Sequence, residues 1–265
     1  MFGKMTCMLA AGSALLVSAS ASASLIAHYA LDEVSGTTAA DSAGSNDGTI
    51  VGAAADLTVS GILGTGFGTP GPANYVEVAD NATAGLYAGN AARSISLWYS
   101  ADTVLTQGRL IGSGSGAAAQ FDITLETASN SNGVSIGLRY GNGNMFWSGG
   151  GIDLDDGELH HVAVTYDGTN LVADSSLRVY IDGVLQTRDG GNNNNSGQAL
   201  VTGNGFWIAS ETTHIRGFNG VIDEVRVYDH ALSQSEVTDL ASVPEPGSFA
   251  LLGLGGLLIV RRRRG

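Results

Sequence analysis

One cysteine, one lysine and four prolines are all that 265 residues hold of those types. Each scarcity excludes something. Cys7 is the lone thiol and lies ahead of the apolar N-terminal run, whereas a lipid-anchored cysteine follows such a run. It is expected to leave with the leader, so residues beyond 23 can form no disulfide. The apolar stretches at the two ends, Leu9 to Val17 and Phe249 to Val260, each fall short of the ~20 residues a spanning helix needs. Basic residues are few: 12 Lys and Arg against 25 Asp and Glu. Setting aside Lys4, Glu245 and four terminal arginines leaves seven basic and 24 acidic residues, a net charge of −17 and no lysine. Such a chain repels nucleic acid and anionic membranes. It suits calcium, or simple solubility outside a cell. A secreted chain without disulfides makes a metal the obvious substitute staple, so calcium is the expected cofactor.

What is present begins with two processing signals. Lys4, the apolar run and the Ser/Ala stretch from Ser18 to Ala23 give the three-part layout of a secretory signal peptide. Ala21-Ser22-Ala23 fits small-x-small cleavage, which places the mature start between Ala23 and Ser24. The alternative, an uncut membrane anchor, needs about twice that apolar length. At the other end Val243-Pro244-Glu245-Pro246 stops any regular element before it. An apolar run and Arg261, Arg262, Arg263 and Arg264 follow, and the arginines hold that end on the cytoplasmic side. A permanent anchor and a transient tether for a membrane protease both fit. This three-part terminus resembles the PEP-CTERM sorting signal of exosortase substrates. The resemblance implies a Gram-negative bacterium, often one making extracellular polysaccharide. It also implies an exosortase-type protease as partner, cutting near Pro244 to Pro246, with membrane contact only through this segment before processing. The organisation read from the chain is therefore 1–23 signal peptide, 24–242 folded domain and 243–265 sorting segment.

The middle reads as β throughout. Short alternating segments are separated by Gly, Asn, Asp and Ser. Ile95, Leu97 and Tyr99 share one face, with Ser94, Ser96 and Trp98 on the other. Phe121, Ile123 and Leu125 alternate with Asp122 and Thr124. Val162, Val164 and Tyr166, then Leu177, Val179 and Ile181, give two more strands, and Asp182-Gly183 marks a hairpin turn. Leu25 to Leu31, Tyr75 to Val78, Val134 to Leu138 and Val221 to Tyr228 complete the strong segments. One helix is expected, capped by Ser233 and Glu236 and serving as a lid on one sheet edge. No repeat of fixed period is present. About a dozen strands in some 220 residues predict an all-β, two-sheet antiparallel jelly-roll sandwich.

Several strings resemble the laminin-G-like (concanavalin A-like) jelly-roll family. They are His28-Tyr29-Ala30-Leu31-Asp32-Glu33, Asp41-Ser42-Ala43-Gly44, Asn46-Asp47-Gly48-Thr49 and Ser94-Ile95-Ser96-Leu97-Trp98. Leu159-His160-His161-Val162-Ala163-Val164-Thr165-Tyr166, Val179-Tyr180-Ile181-Asp182-Gly183 and Ile222-Asp223-Glu224-Val225-Arg226-Val227-Tyr228 follow in order. Leu159 stands where the family usually has Trp. The match runs nearly the whole domain and implies the fold; that fold serves lectins, glycosidases, adhesins and inert modules alike.

The candidate metal ligands start from Asp223, which period-2 parity places with Val221, Val225 and Val227 on an apolar face. A carboxylate there needs a partner. The resemblance implies a structural calcium joining the two chain ends at this acid. Asp41 is the expected second ligand, with Asp32 and Asp47 behind it and carbonyls and water completing six to eight oxygens. His160 and His161 point to opposite faces of a strand and cannot easily share an ion. Asp153-x-Asp155-x-x-Glu158 has the closely spaced acids of a glycosidase, but Asp156-Gly157 breaks it into a turn. Gly149-Gly150-Gly151 lacks the Lys-Ser/Thr and helix of a phosphate loop. Among aromatics, Trp147 is the candidate sugar contact, since Phe146-Trp147 lies between Gly-rich turns and one of the two should be exposed. Asn81-Ala82-Thr83 matches a glycosylation sequon that bacterial sorting signals make irrelevant. Three functions follow: a non-catalytic exported module that binds or packs in extracellular polysaccharide, a structural or adhesive surface protein with protein partners, and, least, a glycoside hydrolase or lyase.

Overall fold

A computed structural model of the chain describes residues 24–53, 55–79, 91–101, 103, 107–113, 121–127, 134–140, 143–169, 175–192, 205–211 and 213–242. Ala23, Asn81, the segment with Pro244, Glu245 and Pro246, and the arginines from Arg261 on lie outside these residues. The described strands are, in chain order, β1 Leu25–Tyr29, β2 Thr38–Ala39, β3 Gly48–Val51, β4 Asp56–Ser60, β5 Thr65–Pro70 and β6 Tyr75–Val78. Next come β7 Arg93–Ser100, β8 Gly108–Ser113, β9 Phe121–Thr127, β10 Val134–Tyr140, β11 Gly143–Trp147 and β12 His160–Tyr166. β13 Leu177–Ile181, β14 Val184–Leu185, β15 Gly190–Asn192, β16 Phe206–Ile208 and β17 Asn219–Tyr228 complete them, followed by helix α1, Gln234–Ala241.

They form two antiparallel sheets. Eight described strands make one, in the order β14-β13-β12-β7-β17-β5-β4 with β1 also on β17. Nine make the other, β15-β11-β10-β9-β8-β16-β6-β3-β2. Successive strand residues point to opposite faces, so alternation decides what each sheet turns inward. Leu97, Val162, Val179 and Ile222 from the first sheet share a buried core with Ile123, Leu125, Ile136 and Phe206 from the second. The expected sandwich is therefore present. At Asp182-Gly183 both residues have positive φ, 49° and 77°, the geometry of a two-residue hairpin turn matched to strand twist.

β17 departs from simple alternation. On one side it pairs with β7 throughout; on the other it pairs with β5 through Ile222 and with β1 from Val225 onward. The neighbour changes at a β-bulge, where Glu224 takes φ 53°. An extra residue shifts the phase by one. Ile222 and Val225 face the core, and Asp223 falls opposite Trp98 on the outer face. The uninterrupted parity expected for Asp223 is thus corrected. The acid is fully buried, but under the turn between β4 and β5 rather than inside the sandwich.

Helix α1 starts as expected. Ser233 Oγ accepts the Glu236 amide and the Glu236 carboxylate accepts the Ser233 amide. The helix lies across the face of the eight-stranded sheet rather than at its edge, since Val237 packs with Ala163, Tyr180, Tyr228 and Leu232 in a second apolar cluster. Ser233→Ala removes one cap and should cost about 1 kcal/mol. At ~2–4 °C per kcal/mol, calorimetry should then show a melting point a few degrees lower; an unchanged value would mean that α1 is not part of the cooperative unit.

Candidate functional site

The outer face of the nine-stranded sheet builds one surface from the residues upward. Thr49, Glu77, Trp207 and Gly112 lie side by side across β3, β6, β16 and β8. A Cβ on Gly112 would meet the Ser210 carbonyl at 2.4 Å, so glycine lets the loop after β16 close over this row. The Glu211 carboxylate organises that loop by accepting the Thr213 hydroxyl and the amides of Thr213 (2.9 Å) and Ile215 (3.3 Å). Burial pushes Glu211 up, but these bonds and the Arg109 guanidinium outweigh it and hold the group below its ordinary value. His214, at φ 53°, then stacks on Tyr75 with ring centres 4.1 Å apart and planes within 4°. Trp207 meets His214 edge-on at 6.0 Å. Tyr75 and His214 are half-buried, while Glu77 and Thr49 beside them are exposed. Ile215 at the rim is 69% exposed.

Further along the same face the polar groups are buried. Arg109 Nε lies 3.1 Å from Asp122 Oδ2, with side chains 0% and 1% exposed. The Ser113 amide donates to Asp122 Oδ1, and Thr124 Oγ1 donates to Glu126 Oε1 at 2.8 Å. Gly137 on β10 keeps room for them, since a Cβ there would come within 2.2 Å of Glu126 Oε1. The Ser113 amide and the Thr124 hydroxyl thus hold Asp122 and Glu126 as parts of a buried, fixed polar floor.

The four expected calcium ligands split into two pairs. Asp41 Oδ1 accepts the amides of His28 (2.9 Å), Ala43 (3.1 Å) and Gly44 (3.1 Å), and Oδ2 that of Asn46 (3.1 Å). Burial raises its proton affinity, but these amides win and the carboxyl is held low. Asp47 Oδ1 accepts the Asp41 amide. At the β4–β5 turn, Asp223 Oδ2 accepts from Ile62 (2.7 Å) and Leu63 (3.3 Å), Oδ1 from Glu224 (2.9 Å), and Asp32 Oδ1 from Thr65 (2.9 Å). Burial dominates at Asp223 and, with Glu224 alongside, pushes it up to about 7 against those amides. Amide N–H groups thus point their positive ends at oxygens a cation would need. Among the described residues no three His, Cys, Asp or Glu side chains are placed to hold a metal. The residues as placed do not fit a calcium joining Asp41 to Asp223. Melting curves in millimolar calcium and in EDTA should coincide; a clear upward shift with calcium would restore the metal staple.

The other candidates resolve simply. Trp147 is 2% exposed and sits in the core, because β11 pairs it with Ile136 of β10. Phe146 faces outward and is also buried. Trp147 therefore offers no face for sugar stacking, which corrects the sequence reading. His160 binds Asp182 (2.9 Å) and Asp156 (3.3 Å), whereas His161 bonds Ser96 Oγ (2.8 Å) on the opposite face. Asp153 and Asp155 lie in the loop before β12, where Asp155 is raised by burial and by Asp153. Sequence reasoning missed Tyr75 as a surface aromatic, and also His214 and the Arg109–Asp122 pair. The alternation of Tyr75 and Glu77 with Val76 and Val78 carried the signal for the first.

Residues 70–238 match the concanavalin A-like lectin/glucanases superfamily, and residues 242–264 match the PEP-CTERM protein-sorting motif. No curated protein matches the chain significantly. Among solved structures, domain 4 of AbnA, a GH43 extracellular arabinanase from Geobacillus stearothermophilus, in complex with arabinotriose, has TM-score 0.61 and 23% identity, over 83% of this chain and 99% of that one. Trypanosoma rangeli sialidase in complex with 2,3-difluorosialic acid gives 0.57 and 16%, with 82% of this chain covering 32% of the sialidase. The binding domain of Paraclostridial Mosquitocidal Protein 1 gives 0.57 and 15%, over 82% and 52%. At these identities the likeness shows the fold. Among the described residues no helix is long and apolar enough to cross a membrane.

Proposed function

Since the chain belongs to the concanavalin A-like lectin/glucanases superfamily and carries a PEP-CTERM sorting motif, we propose that it is an exported, non-catalytic module that binds carbohydrate in an extracellular polysaccharide matrix. The motif marks the chain for sorting by an exosortase-type protease. One observation carries the carbohydrate reading: a shelf formed by the half-buried Tyr75–His214 stack, seated on the buried Trp207, with exposed Glu77 and Thr49 next to it. Aromatic faces take the C–H side of a sugar ring while nearby acceptors and hydroxyls take its O–H groups. The solved AbnA domain, similar over almost its full length, is itself in complex with a trisaccharide, which supports the class of ligand. A charge of −17 between residues 24 and 243 disfavours acidic polymers, so the matrix component should be neutral. Burial of Asp122 and Glu126 in the polar floor, away from solvent, supports the non-catalytic reading.

Glycan arrays with the purified 24–242 domain test this. Binding to neutral glycans is expected, and Tyr75→Ala should weaken it about tenfold, the equivalent of ~1.4 kcal/mol. A silent array with an intact fold would instead favour protein partners. The exposed edge strand β14, with Val184 60% and Leu185 48% exposed, is the feature that favours that second reading. Loss of polysaccharide viscosity on incubation would revive a hydrolase or lyase.

A further inference from the structure

The opposite sheet carries a second concavity. The last turn of α1, the turn between β4 and β5, and the outer faces of β7 and β17 enclose a surface pocket of about 120 Å3. Trp98 forms part of its lining, with Ile62, Leu63 and Leu240 as apolar neighbours. Glu224, Arg226 and Asp239 supply charge, and Ser242 a hydroxyl.

The lining is held in place. Asp223 and Asp32 fix the turn that carries Ile62 and Leu63. A Cβ on Gly61 would lie 2.3 Å from Asp223 Oδ2, so that turn fits only with glycine. Glu224 reaches the pocket from a left-handed backbone position, a conformation that persists only when its surroundings impose it. Its carboxylate is gripped by His28 Nε2 at 2.9 Å and by Arg226, and His28 is braced in turn by Ser42 Oγ at 2.8 Å. The His161 ring sits against Trp98, with centroids 5.2 Å apart.

The charges select the ligand. A uronate or phosphate would face Glu224 and Asp239. An ammonium would face Arg226 but also the two carboxylates, so it is penalised less than an anion. A neutral ring avoids both penalties and uses both signs, since its hydroxyls can donate to the carboxylates and accept from the guanidinium. Its apolar face suits the aliphatic walls of Ile62, Leu63 and Leu240, with the small exposed part of Trp98 beside them. A dry cavity of ~150 Å3 takes one benzene, so this open pocket of about 120 Å3 can cradle part of one ring and not a chain segment. We infer that this pocket binds a single neutral sugar ring, at a chain end or branch point, as a second carbohydrate subsite on the sheet opposite the aromatic shelf. The inference rests on the carbohydrate reading for its class of ligand. Two subsites on opposite faces would let one module bridge two polysaccharide strands.

The test is NMR of the labelled 24–242 domain titrated separately with arabinose, galactose, glucose and mannose, and with glucosamine and glucuronate as charged controls. The amides of Leu63 and Leu240 and the Trp98 indole N–H, assigned with Trp98→Phe, report on the pocket. Neutral sugars should shift them with millimolar affinity, and glucuronate should bind about tenfold more weakly or not at all. Asp239→Ala, an exposed change on α1, should remove the shifts while keeping the fold; Tyr75→Ala should leave them intact. Silence of these signals with all four neutral sugars, or a response only to the charged ones, overturns the pocket. Shifts at His214 and Ile215 report separately on the shelf, so a silent shelf with a responding pocket would sink only the earlier site assignment.

Discussion

Replacing Arg109 by methionine should destabilise the domain by about 3–5 kcal/mol, the cost of leaving a buried charge without its partner. At ~2–4 °C per kcal/mol for a domain of this size, the melting point should fall by roughly 10 °C. Methionine fills much of the arginine volume, so lost packing contributes little. The cost comes from Asp122, 1% exposed and 3.1 Å from the guanidinium, and from Glu211, which Arg109 helps keep ionised. The double change Arg109→Met with Asp122→Leu removes both charges and should recover most of the loss, because an apolar pair of similar volume is often no worse than a buried ion pair. Urea titrations of the three proteins separate these cases. A single variant as stable as wild type would mean that water already reaches the pair.

The second large effect is a pair of opposed pH dependences. Asp223 has a folded pKa of about 7, against ~3.9 in an unfolded chain. Between those values the folded state binds more protons, so its contribution to stability falls as pH rises from about 4 to 7. His161, fully buried, has a folded pKa of about 4 against ~6.5 unfolded, chiefly from burial. There the unfolded state binds more protons, so stability is lost as pH falls from about 6.5 to 4. Each amounts to roughly 3–4 kcal/mol at 1.36 kcal/mol per unit, and the two nearly cancel in the wild type. Asp223→Asn, measured against wild type in EDTA buffer, should gain stability as pH rises from 4 to 8. His161→Gln should do the reverse over the lower part of that range. Parallel profiles for all three proteins would show that neither group titrates in the folded state as its burial dictates.

Much of the fold could be read from local patterns. The alternation in β7 and β12, the Asp182-Gly183 turn and the Ser233–Glu236 cap each follow from residues a few positions apart, and the structure places them as read. The functional features depend on registration between distant segments. Asp223 changed faces because of one bulge residue, whose conformation is imposed by two different neighbours of β17 and leaves no mark in the sequence. His214 reaches Tyr75 only through a left-handed turn built on Glu211. Arg109 and Asp122 lie on different strands, so no spacing rule links them. Trp147 was misplaced for a simpler reason: Met145, Phe146 and Trp147 are all apolar, and alternation cannot choose a face without contrast.

The position of β17 bears on how the domain comes into being. β1, β5 and β7 all pair with it, and it lies near the end of the chain. The first strand therefore waits almost 200 residues for its partner, and the eight-stranded sheet has no continuous ladder until Asn219–Tyr228 is available. Pairings this distant in sequence form slowly, because the closing loop is long. A polypeptide threaded through a membrane from its N-terminus would stay open, and so able to pass, until nearly all of it had crossed. Folding would then finish on the far side in one late step.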